Sequence, residues 1–241
     1  MNIVSWNCSQ VLRQKYVRLK PIMPDFAIIP ECESLEKLGD AYKELFPKAI
    51  WYGDNPWKGL GVFATSQYEL SVHPAYDDQY KWIVPISVSG GTENLTIIAV
   101  WTKNHKIRNL SYIGQLYMAL QQYKSLLQTE QCIVVGDLNS NAIWDYYSRV
   151  GNHTAVVDLL RGYGIESAYH HFYGEPHGQE TRPTHYFRYD QKKPFHIDYV
   201  FAPINWLSRM QTVEVGTYDD WRDAPSDHVP LIVKFLSERV D

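Results

Sequence analysis

The stretch Cys132-Ile133-Val134-Val135-Gly136-Asp137-Leu138-Asn139 decides the fold and the place of the predicted site. A short apolar, β-branched run predicts a buried strand, and a glycine and two polar residues follow it. If the extended geometry continues past Gly136, the side chains of Asp137 and Asn139 point the same way. They would then lie together at the end of a buried strand, where polar groups serve chemistry rather than packing. The alternative is a strand that leads into an Asx-type turn, because Asp and Asn both favour turns.

The composition is that of an ordinary globular protein. The 241 residues are 45% hydrophobic and 21% charged, and the net charge of -4 argues against a broadly basic surface that coats nucleic acid. We find no linker, repeat or low-complexity segment, so we expect one domain over residues 1–241. The 18 Tyr and 8 Trp residues indicate either large core and surface aromatics or stacking against bases or sugars.

The three cysteines indicate a reducing compartment. Cys8, Cys32 and Cys132 are odd in number and far apart, and each lies beside an apolar run, so they form neither a metal-ligand spacing nor a disulfide framework. No transmembrane run is predicted, and Met1 leads straight into a strand-like segment, so we expect no signal peptide. These features predict a cytoplasmic protein without a membrane segment and leave its oligomeric state open.

The hydrophobic pattern places about ten strands and three or four helices. Helices are expected over residues 34–46, with Ser34 as the cap, over 111–128, and over 154–160, with Thr154 as the cap. Residues 169–193 are polar, aromatic and rich in His, which predicts a long loop. Because strands and helices do not alternate regularly, the pattern predicts an α/β sandwich of two mixed β-sheets packed face to face with helices outside.

Polar side chains recur where the predicted strands end. They are Asn7, Glu31, Asp137, Asn139, Asp198, Asp227 and His228. Four carboxylates, two amides and an imidazole on one edge would form a site of hard oxygen donors, which suits Mg²⁺ or Mn²⁺. Taken singly, each carboxylate is equally a cap or an ion-pair residue, and the imidazole is equally a satisfied histidine beside a strand.

Five short motifs, taken in order, resemble the endonuclease/exonuclease/phosphatase superfamily, whose members include exonuclease III, abasic-site endonucleases, deoxyribonuclease I and neutral sphingomyelinases. The motifs are Ser5-Trp6-Asn7, Pro30-Glu31-Cys32-Glu33, Gly136-Asp137-Leu138-Asn139, His196-Ile197-Asp198-Tyr199-Val200 and Ser226-Asp227-His228-Val229-Pro230. Each motif alone is weak, but five in order over residues 5–230 are specific. No HExxH, GxSxG or Walker A motif competes with them. The resemblance implies a four-layer α/β sandwich.

The resemblance also implies a metal site. Glu31 would be the main metal carboxylate, Asp227 would lie near the metal or its waters, and Asn7 would touch the metal shell or the phosphate. Many DNA-repair members have a second polar metal-shell residue two positions after this Asn. Ser9 stands there in this chain and is a poorer ligand.

The resemblance implies the catalytic roles as well. Asp137 would activate the attacking water and Asn139 would orient it. His228 would meet the phosphoryl oxygen, and Asp198 would hold its ring. These roles agree with the chemistry, because a phosphodiester transition state needs an aligned nucleophile and neutralised charge. A carboxylate on the far nitrogen of an imidazole also fixes its tautomer and favours its cation.

The chain departs from nuclease members near the substrate. Those members often have Tyr or His where this chain has Trp101, which has one N–H to donate and cannot ionise. Lys103 or His105 could supply that contact instead. Basic residues recur in segments 13–18, 103–108 and 182–193, which suits a polyanion gripped near the cut, or else solvated loops. The candidate substrate-binding residues are Trp101, Lys103, His105, Arg182, His185 and Arg188.

Three functions remain open on the sequence alone. The first is a Mg²⁺-dependent nuclease acting on nucleic acid, most simply DNA, by in-line attack of a water activated by Asp137. The second is a phosphoesterase on a small molecule or a lipid head group; no amphipathic membrane helix stands out, so the lipid form is the weaker one. The third is a non-catalytic binding protein, which the complete set of charged positions disfavours.

Overall fold

The computed structural model describes residues 1–91, 94–129, 131–145 and 151–236. The strands are β1 (Asn2–Ser5), β2 (Phe26–Cys32), β3 (Lys48–Asn55), β4 (Lys58–Ala64), β5 (Tyr68–Val72), β6 (Ile83–Gly90), β7 (Leu95–Trp101), β8 (Cys132–Asp137), β9 (Ile165–Ser167), β10 (His185–Tyr186), β11 (Pro194–Phe195), β12 (Asp198–Pro203), β13 (Met210–Val215) and β14 (Leu231–Phe235). The α-helices are α1 (Leu12–Lys15), α2 (Leu35–Leu38), α3 (Ile113–Gln122), α4 (Lys124–Leu127), α5 (His153–Arg161), α6 (Ala168–Tyr173), α7 (Ile204–Leu207) and α8 (Tyr218–Trp221). Turns of 3₁₀ helix occur at Tyr16–Ile22, Ala41–Glu44, Asp78–Tyr80, Arg108–Leu110, Ala142–Trp144 and Phe187–Tyr189.

Within the described ranges, most strands belong to two mixed six-stranded sheets. The first sheet has the order β13-β14-β1-β2-β4-β3, and the second has the order β5-β6-β7-β8-β12-β9. In the first, β1 is parallel to β2 and antiparallel to β14. In the second, β8 is parallel to β7 and antiparallel to β12. The strands that carry the predicted site residues therefore lie inside the sheets rather than at their edges.

The apolar residues of the strands pack on both sides of each sheet. On β7, Ile97 and Ala99 face a core shared with Ile3 and Ile28 of the first sheet. The alternate residue Ile98 packs against α3 and α5 on the outer face. A third cluster packs α1 and α2 against the first sheet. Strands buried on both faces have continuous apolar sequences, so the sequence predicts them well. The expected four-layer α/β sandwich is confirmed.

Two predicted helices are interrupted. The helix expected over 34–46 ends at Gly39, whose φ of 72° cannot continue it, and a 3₁₀ turn follows. Ser34 does cap α2, accepting a hydrogen bond from the Lys37 N–H at 3.4 Å. The helix expected over 111–128 divides into α3 and α4 at Tyr123, where ψ is 23°.

Two other expectations were wrong in detail. Asn152, not Thr154, caps α5, and its side-chain oxygen accepts the Ala155 N–H at 2.9 Å. The segment 169–193 is not one long loop, because it contains most of α6 and the whole of β10, elements too short to show a period.

The three cysteines are free and buried, which agrees with the reduced thiols expected from the sequence. No helix in the described ranges is both long and apolar enough to cross a bilayer. The single domain over 1–241 stays a prediction, and residues 237–241 lie outside the description.

Candidate active site

The predicted site residues come from strand ends of both sheets. Asp137 is the last residue of β8, and Asp198, the first of β12, lies directly opposite it in the antiparallel register. Asn7 follows β1, and Glu31 lies in the parallel neighbour β2. His228 precedes β14, which pairs with β1. The two sheets thus bring residues more than 200 positions apart in sequence to one place.

Gly136 is required at the end of β8. Its φ is 144°, and a Cβ there would collide with the carbonyl oxygen of Val100 on β7. Only glycine combines this backbone conformation with so close an approach to the neighbouring strand. The strand then holds its last residue in place, because the Thr102 N–H donates to the Asp137 carbonyl oxygen at 3.0 Å.

The Asp137 carboxylate is held by three N–H donors. Its Oδ1 accepts the Asn139 backbone N–H at 2.7 Å, and its Oδ2 accepts the side-chain amides of Asn7 and Asn139, each at 2.9 Å. Asn139 has a φ of 44°, so the extended geometry expected past Gly136 does not continue. The two side chains still meet, because the chain makes an Asx-type turn. The paired polar side chains at the strand end and the Asx-type turn, which were alternatives on the sequence alone, therefore occur together.

The second pair in the site joins Asp198 to His228. Asp198 Oδ2 lies 2.7 Å from His228 Nδ1, and both groups are buried. Thr184 Oγ1 accepts the backbone N–H groups of Ile197 and Asp198, each at 3.0 Å, and so fixes the start of β12. One oxygen each from Asp137 and Asp198 and one nitrogen of His228 all lie within 4.8 Å of one another.

The charges of these groups follow from burial and from one another. Burial raises the pKa of Asp137, and the Asp198 charge raises it further, to about 7. Burial lowers the pKa of His228, but the charge and hydrogen bond of Asp198 outweigh burial and raise it to about 9. Near neutral pH the site therefore holds a carboxyl group poised to take a proton beside an imidazolium.

The residues expected to bind metal offer hard oxygen donors beside this group. Glu31 Oε2 lies 2.8 Å from the Lys58 ammonium, so a cation already sits against this carboxylate. Asp227 Oδ2 lies 3.5 Å from His185 Nε2. Burial alone would raise the pKa of Asp227, but the His185 hydrogen bond and the His228 charge lower it. Carboxylates are the ligand type that Mg²⁺ takes, one or two at a time with retained waters.

A strained loop connects Asn7 to α1. Residues 9–11, none of them glycine, have positive φ values of 49°, 67° and 55°. The Lys15 ammonium, whose residue is only 5% exposed, donates to the carbonyl oxygens of Cys8 at 2.6 Å, Gln10 at 2.9 Å and Pro225 at 2.5 Å. Lys15 is therefore buried behind the site and holds three backbone carbonyl groups together, so it belongs neither to a solvated loop nor to an exposed contact for a polyanion.

The predicted substrate contacts divide into buried and exposed groups. Trp101 is 2% exposed, and the Lys103 ammonium lies over its ring at 4.2 Å and over that of Trp82 at 4.0 Å. His105 is exposed. Lys103 therefore offers the charge at this edge, while the indole of Trp101 supports it from below.

The candidate residues of the third basic segment, 182–193, differ in their burial and in their distance from the site. His185 belongs to the site itself, since its ring centroid lies 4.4 Å from that of His228. Arg188 is exposed and has a φ of 56°. Arg182 is also exposed, but its guanidinium pairs with Glu175 at 3.0 Å. Sequence reasoning missed Lys58, the first residue of β4, which lies against Glu31.

Comparison with known proteins identifies the fold. No family model matches this chain, and no curated protein sequence matches it. Solved structures match it along nearly its whole length. A 3' phosphatase, NExo from Neisseria bound to a product DNA hairpin, has a TM-score of 0.74 at 16% identity, covering 98% of this chain and 100% of that one.

Two further structures agree. An AP endonuclease from Archaeoglobus fulgidus has a TM-score of 0.73 at 16% identity, with 98% and 99% of the two chains covered. Truncated TDP2 from Caenorhabditis elegans has a TM-score of 0.66 at 16% identity, with 98% and 97% covered. The chain therefore shares its fold with these three proteins over nearly its whole length, in agreement with the fold that its five motifs predicted.

Proposed function

We propose that this chain is a metal-dependent phosphodiester hydrolase that acts on DNA. The observation that carries the proposal is the pairing of a buried, hydrogen-bonded Asp137 with the Asp198–His228 ion pair. The similar structures support the choice of substrate, since one is a 3' phosphatase bound to a DNA hairpin and another is an AP endonuclease.

Asp137 acts as the general base in this proposal. Its carboxylate takes a proton from a water, whose oxygen then attacks phosphorus in line with the departing oxygen. The three N–H donors from Asn7 and Asn139 fix the plane of the carboxylate, so little reorganisation is needed during proton transfer. A base with a pKa near the working pH is the most effective one.

His228 acts on the phosphoryl group. Asp198 binds its Nδ1, which leaves the Nε2–H of the imidazolium to donate to a phosphoryl oxygen as negative charge develops there. Because the pair is buried, this interaction is stronger than the same contact would be in water. His185, beside the imidazolium, lies within reach of the same phosphate.

Glu31, Asn7 and Asp227 are the residues that would hold a Mg²⁺ or Mn²⁺ ion. When bound, such an ion supplies positive charge that neutralises the phosphate and polarises it towards attack. Lys58 pairs with Oε2 of Glu31 at 2.8 Å and would compete with such an ion for that oxygen.

The rim of the site suits a nucleic acid. Lys103 and Arg188 bring positive charge to an otherwise acidic protein. Trp144, Phe187 and Tyr189 expose large aromatic surfaces on which bases can stack.

The test is a cleavage panel with purified protein in Mg²⁺, Mn²⁺ or EDTA. The panel holds single- and double-stranded DNA, abasic DNA, DNA with a 3' phosphate, RNA and bis-p-nitrophenyl phosphate. Asp137→Asn removes the base while keeping the shape of the side chain. Asp40→Asn is the matched control, because that carboxylate is exposed and pairs only with a surface lysine.

We expect metal-dependent cleavage of at least one DNA substrate, retained in Asp40→Asn and reduced about 10²–10⁴-fold in Asp137→Asn. Turnover of bis-p-nitrophenyl phosphate without DNA cleavage would keep the hydrolase and replace DNA with a small phosphoester. Turnover of no substrate by a folded wild-type protein would contradict the proposal.

A further inference from the structure

A second group of metal-ligating side chains lies outside the catalytic group. His153 begins α5, His170 lies in α6, and His177 and Glu180 follow α6 in the chain. One ligand atom each from His170, His177 and Glu180 lies within 4.8 Å of the others. His170 and His177 also line a cavity of about 370 Å³, which gives an ion a path from the surface.

The spacing of the donor atoms matches a small tetrahedral ion. His153 Nε2 lies 3.3 Å from His177 Nδ1, and His170 Nε2 lies 3.0 Å from Glu180 Oε1. Ligand bonds of about 2.0–2.1 Å in a tetrahedron place neighbouring donors about 3.3 Å apart. The His170–Glu180 contact is therefore close to one edge of such a tetrahedron, and a ligand atom of His177 lies within 4.8 Å of both.

His153 is fully buried and supports the group from behind, since its Nε2 contacts His177 Nδ1. The group also has outer contacts of the kind that orient metal ligands. Ser167 Oγ lies 2.8 Å from His170 Nδ1, and Asn141 Nδ2 donates to the second oxygen of Glu180 at 3.0 Å.

We propose that His170, His177 and Glu180 bind a divalent first-row ion of the Zn²⁺ class. Two imidazole nitrogens and one carboxylate favour Zn²⁺ over Mg²⁺, which prefers oxygen ligands, and a water would complete the tetrahedron. The site ties α5 and α6 to the segment that leads into β12, because Asn141 also donates to the His196 carbonyl oxygen at 2.9 Å. Its role is to hold the start of β12, where Asp198 lies.

The test measures Zn²⁺ binding by equilibrium dialysis of metal-free protein. It is carried out in a Glu31→Gln background, so that Zn²⁺ at the proposed catalytic metal site does not obscure the count. We expect one equivalent of Zn²⁺ in this background and its loss in His177→Ala. His171→Ala is the matched control, because His171 is exposed beside the same cavity, and it should retain the ion.

A second variant and a second ion test Zn²⁺ binding even if His177→Ala folds poorly. Asn141→Ala removes the contacts to Glu180 and to the His196 carbonyl oxygen but leaves every proposed ligand in place, so we expect Zn²⁺ affinity to fall about 10–100-fold with stoichiometry retained. Co²⁺ bound to the wild type should show the strong visible absorption of a tetrahedral site. No Zn²⁺ bound in the Glu31→Gln background, or equal binding in a folded His177→Ala variant, would overturn the proposal.

Discussion

The two buried groups of histidines differ in charge although both contact the segment 196–199. In the catalytic group, Asp198 raises the pKa of His228 to about 9 despite its burial. In the second group, burial and the neighbouring histidines lower the pKa of His177 to about 3, and burial lowers that of His153 to about 4. Burial acts in the same direction on all three rings, so the ion pair with Asp198 makes the difference.

The difference separates two uses of one side chain. A protonated imidazole donates hydrogen bonds and carries the charge that a phosphate transition state needs. A neutral imidazole keeps a free lone pair, which a metal ion requires. The carboxylates around His228, Asp198 first among them, outweigh burial, whereas Glu180 does not outweigh burial at His153 and His177. Each of the following changes alters one of the two groups.

The largest effect should follow from removing the charged imidazole. His228→Gln keeps a hydrogen-bond donor but not the positive charge, so we expect kcat for DNA cleavage to fall about 10²–10³-fold. His171→Gln, an exposed histidine beside the second group, should leave kcat unchanged. Single-turnover cleavage with Mg²⁺ measures both, and equal rates for the two variants would exclude a role for the charge.

The next effect concerns the pH dependence of cleavage. In the wild type, activity should fall below about pH 7 as Asp137 becomes protonated, and above about pH 9 as His228 loses its proton. Asp198→Asn removes the ion pair, so the pKa of His228 should fall towards its usual value of 6.5. The alkaline limb of the pH–kcat profile should move to lower pH, and a limb that stays near pH 9 would mean that another group produces it.

Stability should respond to pH in opposite directions at the two groups. The unfolded chain takes up protons near pH 6.5, whereas His153 and His177 stay neutral until about pH 4 or below, so the free energy of unfolding falls as pH drops through this window. The contribution of His228 is complete below pH 6.5 and is lost as pH rises through about 9.

Urea unfolding of metal-free protein across pH 4–10 measures both limbs. His177→Gln should flatten the acid limb, and Asp198→Asn should flatten the alkaline one. If both variants kept the wild-type pH dependence, the opposite pKa shifts of the two groups would be wrong.

The smallest effect lies outside both groups. Lys103→Ala should weaken DNA binding modestly and reduce the slope of log affinity against log salt concentration by about one, with kcat unchanged. Lys43→Ala is the control, since that lysine pairs with exposed Asp40. An unchanged salt slope in Lys103→Ala would remove this residue from the DNA contact.

The sequence predicts the layers of the fold and singles out the residues that the structure brings together around Asp137, and one physical reason explains both. Buried strands are apolar runs, so the polar residues that end them, such as Asp137, stand out. The interruption at Gly39 was harder to predict, because a helix of good apolar spacing ends there through one backbone angle.

The contacts that the sequence did not reveal are those between distant segments. Lys58 meets Glu31 across a strand pair, and Lys15 is buried among backbone carbonyls, which leave no pattern in the sequence. The second histidine group spans residues 153–180, and its only signal was the richness in His of a segment predicted to be a loop.

The most direct test of the account is a ¹⁵N NMR titration of histidine-labelled, metal-free protein, because the opposite charges of the two groups underlie both proposals. His228→Gln and His177→Gln assign the two resonances. The account predicts that His228 stays an imidazolium up to about pH 9, while His177 stays neutral down to about pH 3. Titration of both rings together near pH 6.5 would contradict it.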